Sequence, residues 1–220
     1  MLRKIFFAAL LTLTIVFAGC GGEKSAPDDR TPEFGADKAI IAYAQLYACA
    51  SPDEPRAAGF TDEFVDKARQ TMFAPFDKYP FSEQTLQAIA KNFSTTLKAR
   101  MNFKATLKTN DATHPVIELT AKPADFSDAF KDIDTDADLM ILRREWGELQ
   151  SQGLSDDSIK KDAAFQKLAV DSMSKYLSKL PLKPESTIEV TCKVALGEDG
   201  KFYWSPENVQ SIARYITGQK

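Results

Sequence analysis

The 220-residue sequence predicts an α+β fold, with helices packed on a mainly antiparallel sheet of about four strands arranged as two hairpins. Three observations predict it. Apolar residues recur at helical spacing over most of the chain. That period changes to two near Met101 and again near Thr187. Each period-two stretch runs into a turn signal and a return strand: Asn-Asp-Ala-Thr-His at 110–114, then Gly-Glu-Asp-Gly at 197–200.

The elements follow in order. Residues 36–49 open the folded region with Ile40, Ile41, Ala44, Leu46, Tyr47 and Ala48 on one apolar face, and Ser51-Pro52 ends the helix. Thr61 is the N-cap of a second helix running to about Met72, with Asp62 and Glu63 in the first turn, where the helix dipole favours them. Ser82 caps a third helix carrying Leu86, Ile89, Phe93 and Leu97. Met101, Phe103, Ala105 and Leu107 then alternate with Asn102, Lys104, Thr106 and Lys108, which reads as a half-buried strand. Residues 116–121 return, and Lys122-Pro123 ends the hairpin. Helical patterns resume over 124–133, 137–152 and 155–180, until Pro181 and Pro184 break them. Ile188, Val190, Cys192 and Val194 form the inward face of a third strand, with Thr187, Glu189, Thr191 and Lys193 outward. Residues 201–204 form the fourth, and Ser205 caps a closing helix with Pro206 at its first position.

Composition limits the function. Hydrophobic residues are 44% and charged residues 27%, an ordinary globular mixture. With 28 basic against 31 acidic residues and no basic stripe, nucleic acid is not an expected partner. One His and three Cys do not supply the common zinc frameworks, and no metal or other cofactor is expected. The sequence has no G-x-S-x-G, S-x-x-K, H-E-x-x-H, Walker A or G-x-G-x-x-G motif.

The N-terminus is more specific. Arg3 and Lys4 precede an apolar run over 5–18, the layout of an export signal and too short for a comfortable membrane span of about 20 residues. Phe17-Ala18-Gly19-Cys20 closes it. These residues resemble the lipobox of bacterial lipoproteins, with Phe17 where the family usually has Leu. The resemblance implies cleavage before Cys20 and a lipid on its thiol. Residues 1–19 are then a signal peptide, 20–35 a lipidated Gly/Pro/charge-rich flexible tether, and 36–220 a single domain. Losing Arg3 and Lys4 moves the formal charge from -3 to -5. Together with the Ala/Tyr-rich opening helix and the closing Gly200-Lys201-Phe202-Tyr203-Trp204, this arrangement is similar to small envelope lipoproteins of unknown function, several of them cystatin/NTF2-like.

Cys20 being taken by lipid leaves Cys49 and Cys192. An oxidising compartment favours their pairing, which would close a loop of about 140 residues and contribute about 5 kcal/mol in the chain-entropy model. The other reading is two buried free thiols acting as small hydrophobes.

Other candidates are weaker. Asp134, Asp136, Asp138 and Glu145 match four positions of a calcium loop, but Leu139 stands where the loop needs Gly. An acidic helix start capped by Asp136 explains the same residues. Phe73, Phe76, Tyr79 and Phe81 crowd one loop, as satellite core or as the lining of a cleft. His114 precedes Pro115 in a turn and lacks an orienting partner, and Trp146 and Trp204 read as core anchors. The expected function is a lipid-anchored module outside the cytoplasm that binds an envelope protein, a cell-wall component or a small ligand. The alternative is an envelope hydrolase with an unrecognised carboxylate site.

Overall fold

A computed structural model describes residues 31–125 and 132–218. The signal region, Cys20 and most of the tether lie outside the described residues, as does most of the helix expected over 124–133.

Among the described residues there are seven α-helices and four strands: α1 Ala36–Cys49, α2 Asp62–Phe73, α3 Glu83–Met101, β1 Lys104–Thr109, β2 Val116–Ala121, α4 Ala137–Ser151, α5 Asp156–Ile159, α6 Ala163–Ser178, β3 Ser186–Leu196, β4 Phe202–Pro206 and α7 Val209–Ile216. The sheet order is β1-β2-β3-β4, every neighbouring pair antiparallel, so the fold is α+β as expected. The two hairpins join through β2 and β3 into one continuous meander.

Helix α1 is the centre of the molecule. Eleven of its 14 residues are buried. Ala39, Ala44 and Ala48 have no exposed surface and Ala42 has 1%. A helix carrying methyl groups on several sides lets neighbours approach closely all round. Accordingly α1 packs on β1, β2 and β4, and also on α2, α3 and α7. The stack continues outward: α3 packs on α6, and α6 on α4.

The inner face of the sheet pairs Ile117 with Val190 and Leu119 with Ile188 across β2 and β3. On the outer face the register sets Thr106, Glu118 and Glu189 side by side. Two glutamates directly opposite would repel. The Lys108 ammonium answers both, 3.7 Å from Glu118 and hydrogen-bonded to Glu189. Thr120 and Thr187 share a 2.7 Å hydrogen bond on the same face.

Polar side chains clip the elements together. The Tyr215 hydroxyl accepts from the Ala121 amide at 3.0 Å and reaches the Ser186 carbonyl, joining α7 to the end of the β2–β3 ladder. Arg100 donates to the carbonyls of Ser178 (2.5 Å) and Leu180 (2.8 Å), closing the end of α6. Gln166 uses its whole amide. Its nitrogen donates to Pro80 and Ile159 carbonyls, and its oxygen accepts from the Ser82 amide and the Thr85 hydroxyl.

The structure corrects several expectations. Met101 ends α3 instead of opening β1, because the i, i+4 pair Leu97–Met101 keeps the helical period until Asn102 takes a left-handed conformation (φ 53°). Leu107 is 50% exposed, since β1 is an edge strand that the helices cover only in part. Ala124 forms a bridge with Leu182 where a helix was expected to begin. The helix expected over 155–180 divides into α5 and α6, because the Asp162 carboxylate accepts from the Phe165 amide at 2.8 Å and restarts the helix. Ser205 and Pro206 belong to β4, with Pro206 opposite Cys192, and Asn208 caps the closing helix. An edge strand tolerates the missing Pro N–H.

Enlarging the central helix tests its role. Ala44→Leu is expected to destabilise the protein by about 1–3 kcal/mol through overpacking, read as a lower urea midpoint at unchanged m-value.

Candidate functional site

The clearest cleft among the described residues lies between the loop after α2, helix α4 and helix α6. The loop follows Phe73 through a short 3-10 turn, Ala74–Phe76, in which a proline discourages continuation of the α-helix. It then carries a run of rings across the helices. Phe73 and Phe76 are 6.0 Å apart, Phe76 and Tyr79 6.2 Å, Tyr79 and Phe81 stack at 5.4 Å, and Phe81 meets Phe165 of α6 at 6.4 Å. Phe73, Phe76 and Phe81 are buried as core, whereas Tyr79 is half-buried. Phe76, Tyr79 and Phe81 all line the cleft, Phe76 and Phe81 from buried positions.

Tyr79, Arg143 and Trp146 form the mouth, all half-buried, with Tyr79 and Trp146 ring centres 5.6 Å apart. Buried Ile133, Leu139, Leu142, Phe165 and Met173 lie behind them. Each mouth residue is held. Arg143 donates to the carbonyls of Ile133 (2.7 Å) and Asp134 (3.2 Å) and lies 3.3 Å from the Asp134 carboxylate. The Trp146 indole donates to Asp156 at 3.1 Å, and Gln150 donates to the same oxygen at 3.2 Å. The cavity volume is about 30 Å³, the room of one or two waters, in an almost wholly apolar lining. It admits a methyl-sized group and no drug-sized ligand unless side chains move.

The acidic run beside the cleft is a helix start. The Asp136 carboxylate accepts from the amides of Asp138 (3.0 Å) and Leu139 (3.2 Å). Lys179 bonds Asp136 at 2.9 Å and Asp138 at 2.8 Å. Burial pulls the Asp136 carboxyl upward, but Lys179 and the two amides outweigh it and leave it below the ordinary carboxylate range. Burial first, then the negative charges of Asp136 and Asp132, push the Tyr176 phenol upward. Glu145 lies within α4, away from any loop. No group of three or more His, Cys, Asp or Glu among the described residues is arranged to hold a metal ion.

Cys49 and Cys192 are both buried and both carry free thiols in this structure. Each thiol has its own partner. Cys49 donates to the Gln45 carbonyl one turn back at 3.1 Å and receives the Ser94 hydroxyl at 3.6 Å, while Cys192 reaches the Val190 carbonyl at 3.8 Å. Burial pushes Cys49 up to about 11 and Cys192 up to about 12. His114 is exposed in its turn, its ring 3.0 Å from the Thr113 hydroxyl and 3.7 Å from the Glu207 carboxylate. Trp204 packs against the core from one side. Cys20 lies outside the described residues.

Sequence reasoning missed Arg143. It stands in the run 139–143 that reads as buried helix, and its tie to carbonyls 9 and 10 residues back has no periodic signature.

No family model matches the chain, and no curated protein matches it. Among solved structures it is similar to YcdA of Bacillus subtilis, described as a presumed lipoprotein, with a TM-score of 0.48 and 15% identity over 82% of this chain and 55% of that one. The chain thus spans about half the length of YcdA. A likeness of this size transfers neither family nor activity.

Two predictions follow from the site. An alkylating reagent at pH 8 is expected to leave Cys49 and Cys192 unmodified in the folded protein and to label both once it is unfolded without reductant; mass spectrometry counts the adducts. For Asp136 the folded pKa is lowered, so its charge contribution is present above the unfolded carboxylate range and fades as pH falls through the folded value. Asp136→Asn keeps a capping side chain but loses the Lys179 pair. The gap in urea midpoint between wild type and variant should therefore be widest near neutral pH and close as the pH falls below the ordinary carboxylate range.

Proposed function

We propose that the protein is a lipid-anchored module outside the cytoplasm that acts by binding rather than by catalysis. The observation that carries the anchor is the ordered series at the N-terminus: Arg3-Lys4, the apolar run over 5–18, then Ala18-Gly19-Cys20. Only after it does the chain reach its first described helix at Ala36. One acyl chain binds a membrane reversibly, and the two or three that a lipobox Cys receives hold firmly. A lipid on Cys20 would be consistent with the outer face of the cell membrane, or with the outer membrane in a cell that has two.

The mouth formed by Tyr79, Arg143 and Trp146 supports the binding reading. Aromatic and Arg side chains are those most enriched where proteins meet partners. The small volume behind the mouth favours a partner that inserts one small apolar side chain over a free small ligand. That makes an envelope protein the favoured partner, ahead of a cell-wall component. The hydrolase alternative draws no support from Asp136, whose carboxylate is occupied by a helix start and a lysine and held in its charged form.

The test is expression of the full chain in a bacterium fed radiolabelled palmitate. Wild type is expected to incorporate label and partition into detergent. Cys20→Ser should lose the label and retain its signal. Label on Cys20→Ser, or none on wild type, sinks the anchor.

A further inference from the structure

The mouth of the cleft holds a donor that the fold does not use. Tyr79 is half-buried, and its hydroxyl makes no hydrogen bond among the described residues. Burial pushes its phenol upward, so it stays protonated and able to donate at neutral pH. The charges beside it are already answered within the chain. Arg143 donates to two carbonyls and lies 3.3 Å from the Asp134 carboxylate, and Asp156 receives both Trp146 and Gln150. A neutral acceptor therefore suits Tyr79 better than an ion does.

Behind Tyr79 lies the cavity of about 30 Å³, walled by Phe76, Ile133, Leu142, Phe165 and Met173. A hydroxyl placed there would find no partner. A branched or longer side chain would find no room, and a glycine would leave the space empty. One methyl group fills it.

The chain that carries this methyl has a way in. Gly147 stands one turn after Arg143 on the same side of α4, and a Cβ at Gly147 would meet nothing within 4 Å. Glycine weakens a helix interior relative to alanine, and no neighbour among the described residues requires it here. Met140, one turn before Arg143, is 55% exposed. Beside the mouth, α4 thus offers bare backbone and an apolar side chain.

We infer that the residue a partner protein inserts is an alanine, its methyl filling the cavity and its main-chain carbonyl accepting from the Tyr79 hydroxyl. The inference rests on the protein-binding reading and names the group that the cleft takes. Alanine joins both requirements because its carbonyl adjoins the carbon that bears the methyl. That carbonyl must be free of helix and sheet bonds, so the alanine sits in a loop or near a chain end. The acetamido group of an amino sugar also sets a methyl beside a carbonyl. The Tyr79 and Trp146 planes differ by 56°, however, and give a sugar ring no common platform.

The experiment uses the full chain in detergent micelles with isotope-labelled methionine methyls. Met173 in the cavity wall is the reporter, and Met101, buried at the end of α3, is the reference. The probes are the N-acetyl N′-methylamides of alanine, glycine and leucine, and N-acetylglucosamine. The alanine probe is expected to shift Met173 saturably and leave Met101 unchanged. The glycine and leucine probes should bind about tenfold more weakly. Tyr79→Phe, which keeps the ring packing, should weaken the alanine probe about threefold to tenfold. No response to the alanine probe, an equal response to glycine, or an unchanged response in Tyr79→Phe overturns the inference. Preference for leucine also overturns it while retaining a protein partner. Preference for N-acetylglucosamine overturns both and moves the partner to the cell wall. Palmitate labelling of Cys20 does not involve the cleft, so the anchor is judged separately.

Discussion

The structure depends on α1 being small enough to be surrounded. Its alanines at 36, 39, 42, 44 and 48 carry no more than a methyl group each. Strands can therefore close on one side and helices on the others. The larger residues, Ile40, Tyr43, Leu46 and Tyr47, fill the gaps that remain. Interiors pack as densely as organic crystals, so a hub of this kind sets the spacing of everything around it. The sheet lies at the distance an alanine face allows, and α3 and α7 take theirs from the same helix. Ala50 follows the helix in the left-handed conformation (φ 49°). Its amide still donates to Leu46 at 2.8 Å and ends the helix, at a position with no exposed surface.

Once the centre is filled with methyl groups, the joints are left to polar side chains. Tyr215, Arg100 and Gln166 each satisfy backbone groups that no regular element reaches, at the ladder end, the end of α6 and the start of α3. Gln45 does the same beside α1, exchanging two 2.7 Å hydrogen bonds with Asp53. Among the described residues no buried side-chain nitrogen or oxygen lacks a partner. A buried polar group without a partner costs about 1–3 kcal/mol, so such complete pairing makes the joints specific as well as stable.

The sequence carried the layers and hid the joints. Period two exposed β2 and β3, where Ile117, Leu119, Val190 and Cys192 alternate with polar neighbours over a buried face. It failed at β1, whose outer position leaves Leu107 in water, and at Met101, which fits a helix and a strand equally well. Capping residues were legible where the side chain bonds locally, as Thr61, Ser82 and Asp136 do. Asp162 was not, because an apolar period on both sides concealed the restart. At the cleft, the rings at 73–81 and Trp146 stood out in the sequence. Their meeting with Arg143 depends on α4 lying across α6, a long-range packing that no local pattern records.

The same packing order separates the cleft from the sheet. The sheet lies against α1, α1 against α3, α3 against α6 and α6 against α4, so the cleft beside α4 is the layer most removed from the sheet. The chain enters α1 past Glu33, which lies 4.0 Å from Lys201 of the β3–β4 hairpin. Under the proposed anchor, a tether of ten to fifteen residues would hold such a body near the bilayer without fixing its orientation. Binding from an anchored position confers its advantage through local concentration, which holds only when the site is not pressed against the bilayer. The layer that carries the cleft is separated by three packed helices from the sheet beside which the chain enters, and that separation is what the proposed anchored binding needs.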